Sequence, residues 1–323
     1  EISCSLVGSE MCIRDRGDAE KWLKLAYGLK ARYTMHLLKR SANKDADMEK
    51  VLEYVNNSFE SAEEQAAFDV YDANNINPLY GFFVARAGLG ASESMRSKLA
   101  EYNDPRLSRA FITKQGTSGK EQAPGTADNA VYAPNGTPEQ GTSKYGTSLF
   151  MYSISAPTLL LSYHELKFLE AEALCRLERD AKSALKDAVV AGLLNAENSF
   201  TISRKELGKT LINAASSITE AEAESYFDNT IEAKYTAEPL KTTMTQKYFA
   251  LWGASGEATE SYNDVRRMKG LGENFIELKN PNSFPLRCPY GNSDTTTNAE
   301  VKAAYGNGQY VYSENVWWAG GSR

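Results

Sequence analysis

The stretch P-T-L-L-L-S-Y-H-E-L-K-F-L-E-A-E-A-L-C-R-L-E-R-D-A-K-S-A-L-K-D-A-V-V-A-G-L-L-N-A, residues 157–196, decides the fold. Ser162 is a favourable helix N-cap, and Glu165 stands three residues on, where its carboxylate can reach back to the cap's N–H in a capping box. A helix over 163–177 follows. Leu166, Leu169, Ala173 and Leu177 recur on one stripe of it while Glu165, Lys167, Glu172 and Arg176 mostly fall elsewhere, so one face is for burial. After a break at 178–180 a second amphipathic helix is expected over 181–196, with Ala184, Leu185, Ala188, Val189 and Leu193 inward. So short a link makes the two antiparallel. Ala171, Ala173, Ala184 and Ala188 let them pack closely. A helix pair of this tetratricopeptide type cannot bury its apolar face alone and has to stack on neighbours.

The chain has 323 residues, 42% hydrophobic and 24% charged, enough for a substantial packed core. Its 36 Lys and Arg against 42 Asp and Glu, net −6, supply no electrostatic reason to expect nucleic acid. No apolar run reaches the length of a membrane span. Met11 to Arg16 can be encoded by a string that resembles the transposon end used in making sequencing libraries. Residues 1–16 are therefore read as a non-native leader, with any signal peptide or lipid anchor lying upstream of the sequence in hand. Of the 4 cysteines, Cys4 and Cys12 then drop out. Cys175 and Cys288, two lone thiols far apart, point to neither a disulfide nor a zinc site.

Further helices are expected over 21–39, with Trp22, Leu25, Ala26, Leu29, Tyr33 and Leu37 on one side, and over 47–56, with Leu52 and Val55 inward. The basic character of the first fits a membrane surface or, more simply, a solvated face on a packed helix. His36 reads as a partly buried, hydrogen-bonded residue. From Phe68 the chain mixes Asn, Asp, Pro and Gly with Tyr71, Tyr80, Phe82 and Phe83, which reads as a structured loop. Asp69, Asp72, Asn74 and Asn77 offer oxygen ligands without the spacing of a calcium loop. A short helix over 92–102 precedes a long Gly-, Ser- and Thr-rich segment, 115–148. Beyond the central pair, Thr219 and Glu222 form a second capping-box candidate, and Pro239 opens a helix to residue 252 that Gly253 and Gly256 stop. Asp264 beside Arg266 and Arg267 reads as structural ion pairing, and Trp317-Trp318 as the anchor of a turn-rich tail.

Rings in polar loops suit stacking on the apolar face of a sugar or on a peptide, and Tyr80, Tyr132, Tyr145 and Phe150 are the candidate ligand-binding residues. For any one of them the alternative is that the ring pins its loop to the core. No cofactor, metal site or catalytic residue is nominated, because no stretch offers paired carboxylates or a nucleophile beside a histidine.

K-W-L-K-L-A-Y-G-L-K-A-R, N-D-P-R-L, L-L-S-Y-H-E-L-K-F-L-E-A-E-A, T-Q-K-Y-F-A-L-W with Y-N-D-V-R-R-M, and the P-L-R-C-P-Y to V-W-W ending occur in an order that resembles the SusD/RagB-like outer-membrane nutrient-binding lipoproteins of Bacteroidetes. The resemblance implies a mainly α fold of tetratricopeptide-type antiparallel helix pairs with long loop insertions and little β. Residues 17–323 would then be the C-terminal part of a single helical domain, with a loop-rich insertion at about 68–156, and would fold poorly without the helices preceding them. It also implies surface exposure on the outer membrane through a lipid anchor, and a partner, a SusC-like TonB-dependent transporter to which oligosaccharide or peptide is delivered without catalysis. An intracellular tetratricopeptide-type scaffold and a glycoside hydrolase are the alternatives.

Overall fold

The computed structural model describes residues 18–86, 89–115, 120–122, 132–136, 145–208, 211, 215–280 and 283–321. The leader expected at 1–16 and most of the segment 115–148 lie outside the described residues. In chain order the helices are α1 (Ala19–His36), α2 (Lys44–Asn56), α3 (Pro78–Arg86), α4 (Glu93–Glu101), α5 (Tyr163–Arg176), α6 (Lys182–Leu207), α7 (Glu220–Tyr226), α8 (Glu232–Ala237), α9 (Pro239–Ala250), α10 (Ala258–Leu271), α11 (Asn292–Thr297) and α12 (Ala299–Tyr305). The strands are short: β1 (Ala66–Phe68), β2 (Phe111–Gln115), β3 (Lys120–Gln122), β4 (Thr147–Ser148) and β5 (Thr158–Leu161). β1 pairs antiparallel with β5, Ala67 opposite Leu159, and β2 lies between β3 and β4. The fold is mainly helical.

Helix α5 is the element on which the others are built, because it is buried on both sides. Leu166, Leu169 and Ala173 join Leu25, Ala31, Met35, Met48 and Val51 of α1 and α2 in one core. Phe168 and Ala171 join Leu185, Ala188, Leu193, Phe200, Phe227 and Phe249 in a second, between α5, α6 and α9. A single apolar stripe would have served only one of these contacts. Ser162 caps α5 by accepting from Glu165 N at 3.0 Å, as the pattern requires. The return half of the capping box is absent: Ser162 N donates to Glu257 Oε1 at 2.5 Å, and the Glu165 carboxylate turns inward to Arg32. The link to α6 is made by Glu178, whose φ of 57° places one non-glycine residue in the left-handed region.

Four expectations change. α1 turns a different face inward: Leu25, Gly28, Ala31, Arg32 and Met35 are buried, while Trp22, Tyr33 and Leu37 stand out. Arg32 decides this rotation, because its partner Glu165 lies inside. Gly28 permits it, since a Cβ there would collide with the Leu161 side chain. Pro78–Arg86 is a helix within what reads as loop, started by Asn77, whose side chain accepts from Leu79 N at 2.8 Å. α6 runs to Leu207, well past residue 196. The turn-rich tail holds α11 and α12, and the Y-N-D-V-R-R-M stretch lies in α10.

Candidate functional site

Glu165 and Glu172 are two helical turns apart on α5 and share one face. Both are fully buried. Arg32 of α1 donates to both oxygens of Glu165, through Nε at 2.9 Å and through a terminal nitrogen that also reaches Glu257 Oε1 at 3.2 Å. Arg267 of α10 holds Glu172 in the same forked way and takes Asp264 Oδ1 at 2.7 Å, while Lys247 of α9 pairs with the other Asp264 oxygen at 2.8 Å. Burial is the largest influence on the Glu165 carboxyl and would raise it, but the charge and hydrogen bonds of Arg32, with Lys247 and Glu257 behind them, together bring the group down to about 2. Glu257 goes the other way: burial, and then the charge of Glu165, push it well above the usual carboxylate range. These pairs fix α1, α5, α9 and α10 against one another.

His164 sits in the same interior, with Nε2 3.9 Å from Glu257 Oε2 and without a hydrogen-bond partner. Burial pushes its imidazole from 6.5 down to about 4. The unfolded chain therefore takes up a proton between pH 6.5 and 4 that the folded chain refuses, so the contribution is complete above pH 6.5 and lost as pH falls through 4. That loss is about 3 kcal/mol. Glu165, with its depressed carboxyl, adds a loss below about pH 4.5 that runs to about 2. Glu257, with its raised carboxyl, has the opposite sign: its contribution is present below its ordinary value and declines as pH rises through its raised one. Urea midpoints at pH 7 and 4.5 test this. His164→Asn is expected to shrink the stability lost between those pH values by about 2–3 kcal/mol, and an unchanged loss would remove His164 from the account.

Where α1 and α10 emerge from this interior they form a cleft of 350 Å³. Tyr33, His36 and Leu37 come from one face of the last turns of α1, and Asn263 and Arg267 are one turn apart on α10. The third wall is Trp317 and Trp318, in a 3-10 turn, Trp317–Ala319. The tail that carries them is tied down: Arg40 Nε donates to Trp317 O at 2.5 Å and another of its nitrogens to Gly321 O, and the Arg266 guanidinium lies 5.1 Å from the Trp318 ring centre. Trp318 thus docks, whereas Trp317 is 56% and Tyr33 54% exposed, with the Arg40 guanidinium 5.1 Å from the Trp317 ring centre. His36 is half-buried and bonds Glu260 at 2.7 Å, a structural role. At the floor, Arg267 is buried and its Nε has no hydrogen-bond partner.

The four residues nominated from the sequence do not meet on one surface. Phe150 is 2% exposed, its ring 4.7 Å from Phe200 and 5.1 Å from Trp252, so it is a core residue. Tyr145 is buried too. Tyr132 is half-buried, edge-on to Phe111 at 5.2 Å with Arg96 against its face at 5.6 Å. Tyr80, on α3, donates to Glu206 at 3.3 Å. Phe150 and Tyr132 are joined through Trp252 and Phe111 in one aromatic cluster, and its work is packing. Both lie in the stretch 145–150, every residue of which is buried, and its turn Leu149–Tyr152 packs on α6 with the Phe150 ring against Phe200 and Trp252. Tyr33 and Trp317 were missed because each was assigned to burial.

Asp72 accepts from the backbone of Asn74 and Asn75, both at 2.7 Å, and Asn77 is buried, so the polar cluster at 69–77 builds a turn. Among the described residues no group of three or more His, Cys, Asp or Glu could hold a metal ion, and no helix is long and apolar enough to cross a membrane. Cys175 and Cys288 are free thiols.

The described residues thus form a helical scaffold of stacked pairs with an aromatic surface cleft. A family model for SusD-like proteins, described as starch-binding and associating with the outer membrane, matches residues 13–290, and the chain belongs to that family. A crystal structure of a SusD/RagB family protein from Bacteroides thetaiotaomicron superposes with a TM-score of 0.90 at 66% identity, over 95% of this chain and 66% of that one. A SusD homologue from Bacteroides fragilis gives 0.68 at 19% identity, over 94% of this chain and 68% of that one. A chitin-binding protein gives 0.65 at 20% identity, over 94% and 66%. The last two share the fold alone. The chain spans about two thirds of the length of these proteins. No curated protein matches it.

Proposed function

We propose that the chain binds nutrient oligosaccharide in the Tyr33–Trp317–Trp318 cleft at the outer membrane, as part of a surface receptor that passes its cargo unchanged to a SusC-like TonB-dependent transporter. The observation that carries this is the pairing of two residues, Trp317 and Tyr33, each more than half exposed, in one cleft with Trp318 and Asn263. Rings meet the C–H faces of a sugar, and Asn263 and Arg267 meet its oxygens. Among the described residues none that lines the cleft is a carboxylate, which favours capture over glycoside hydrolysis, a reaction that places two of them across the bond. The family description supports a glycan cargo.

A receptor that hands its ligand on binds it modestly, so each ring contributes on the order of 1 kcal/mol. The test is calorimetric titration with linear maltooligosaccharides and chitooligosaccharides. Trp317→Ala, an exposed site with little role in folding, is expected to weaken binding by about tenfold, and Tyr33→Ala with it by about a hundredfold. If the double variant binds as the parent does, the cleft is not the site.

A further inference from the structure

In the interior where Arg32 meets Glu165, two buried polar atoms without hydrogen-bond partners stand 3.9 Å apart: Glu257 Oε2 and His164 Nε2, on side chains each 1% exposed. An ionised carboxylate oxygen buried without a donor is costly, and so is a buried imidazole nitrogen without a partner. The described cations around Glu257 are already matched. Arg32 is forked on Glu165 and touches Glu257 only at Oε1, 3.2 Å away. Arg106 is matched by Asp104 at 2.7 Å, Lys247 by Asp264 at 2.8 Å, and Arg267 by Glu172 and Asp264. His36 bonds Glu260 at 2.7 Å. Glu257 Oε1, by contrast, is well used: it accepts from Arg32 of α1 and from the N–H of Ser162, the N-cap of α5, while Glu257 is itself the residue from which α10 starts.

We propose that Glu257 carries a proton on Oε2 at neutral pH and donates it to His164 Nε2, and that this one proton is a pH-operated latch holding α1 to the starts of α5 and α10. A single O–H···N bond satisfies both unpartnered atoms, and it forms when they approach by about 1 Å. It also keeps the cluster from holding two carboxylates against the one guanidinium of Arg32. Lys247, Arg106 and Glu260 are the other charged groups that act on this cluster, from α9, from the turn at 105–108 and from α10. Burial and the Glu165 charge hold the Glu257 carboxyl well above the usual carboxylate range, so the latch is closed below that range and is lost as pH rises through the raised value. Ionisation then places a second negative charge beside Glu165 and removes the donor to His164. Helix α1, which reaches this cluster through Arg32, is the element released.

Glu257→Gln tests this on the full chain, because the amide puts an N–H where the latch needs an O–H, while its carbonyl still accepts from Ser162 and Arg32. The variant is expected to match the parent in urea midpoint at pH 7. Amide hydrogen exchange in α1, corrected for the intrinsic rate, is expected to lose about tenfold or more of its protection between pH 7 and 10 in the parent and less than about twofold in the variant. The infrared band of a protonated carboxyl, present in the parent at pH 7, is expected to vanish in the variant, and nitrogen-15 spectra of His164 to show Nε2 unprotonated and hydrogen-bonded. A variant that unfolds or is strongly destabilised at pH 7 shows that the charge is needed and overturns the proposal. So does a parent without the protonated-carboxyl band, or an alkaline loss that survives in the variant. A band that vanishes while His164 Nε2 shows no hydrogen bond places the proton toward Glu165 and overturns the pairing with His164.

Discussion

Glu172→Ala is expected to lower the free energy of unfolding by about 3–5 kcal/mol, a large share of the margin of a domain of this kind. The carboxylate is fully buried and accepts from Arg267, at 2.8 Å through one of the two contacts, and from Arg176 Nε at 2.7 Å. Its removal leaves two guanidinium groups inside the protein, each with only its remaining carboxylate, Asp264 for Arg267 and Glu273 for Arg176. The cost comes from that uncompensated charge and not from the worth of the pair, since replacing a buried ion pair by apolar groups of similar size is often neutral. Glu172→Leu with Arg267→Met should therefore recover part of the loss that Glu172→Ala incurs. Urea denaturation of the three proteins measures it. A single-variant loss below about 1 kcal/mol would show that the interior is wetter than the structure has it. Because Arg267 is also the floor of the Tyr33 cleft, Glu172→Ala should disturb ligand binding as well.

Phe150→Ala is expected to cost about 3–5 kcal/mol of stability and nothing in ligand affinity per folded molecule. The ring is enclosed by Phe200 and Trp252, and a Cβ at Gly253, where φ is 79°, would strike it, so the space is filled from every direction the chain offers. Truncation leaves a cavity that the neighbouring rings cannot close without moving α6. Measuring stability and binding on the same preparation separates the two roles. A variant that melts like the parent but loses its ligand would return Phe150 to the binding surface.

The helical pair at 157–196 was legible because local rules and tertiary packing agree there: Ser162 caps, and Ala184, Leu185, Ala188, Val189 and Leu193 are all buried where their spacing puts them. α1 was misread in its orientation for the opposite reason. Apolar spacing favours the stripe through Trp22, Tyr33 and Leu37, but a single buried charge, Arg32, outweighs it, and its partner Glu165 is a residue that spacing alone assigns to the surface. A lone arginine on the polar side of a helix carries no mark of such a partner. α3 was hidden by Asn, Pro and Gly around it, although Asn77-Pro78 is itself a helix start. The cleft escaped notice because its walls come from α1, α10 and the tail, far apart in sequence, and because Trp317 and Trp318 look alike while only Trp318 is packed beneath Arg266. The one local signal available, Tyr33 and His36 three residues apart on one helical face, was read as burial and hydrogen bonding instead.

The most direct test of the binding site is a crystal structure of the full chain with the tightest-binding oligosaccharide from the two series. The expected result is a sugar ring stacked on Trp317 beside Tyr33, with a ligand oxygen within hydrogen-bond distance of the Asn263 side chain. A glycan seated on Tyr80 or Tyr132, with the Tyr33 cleft holding only solvent, would contradict it.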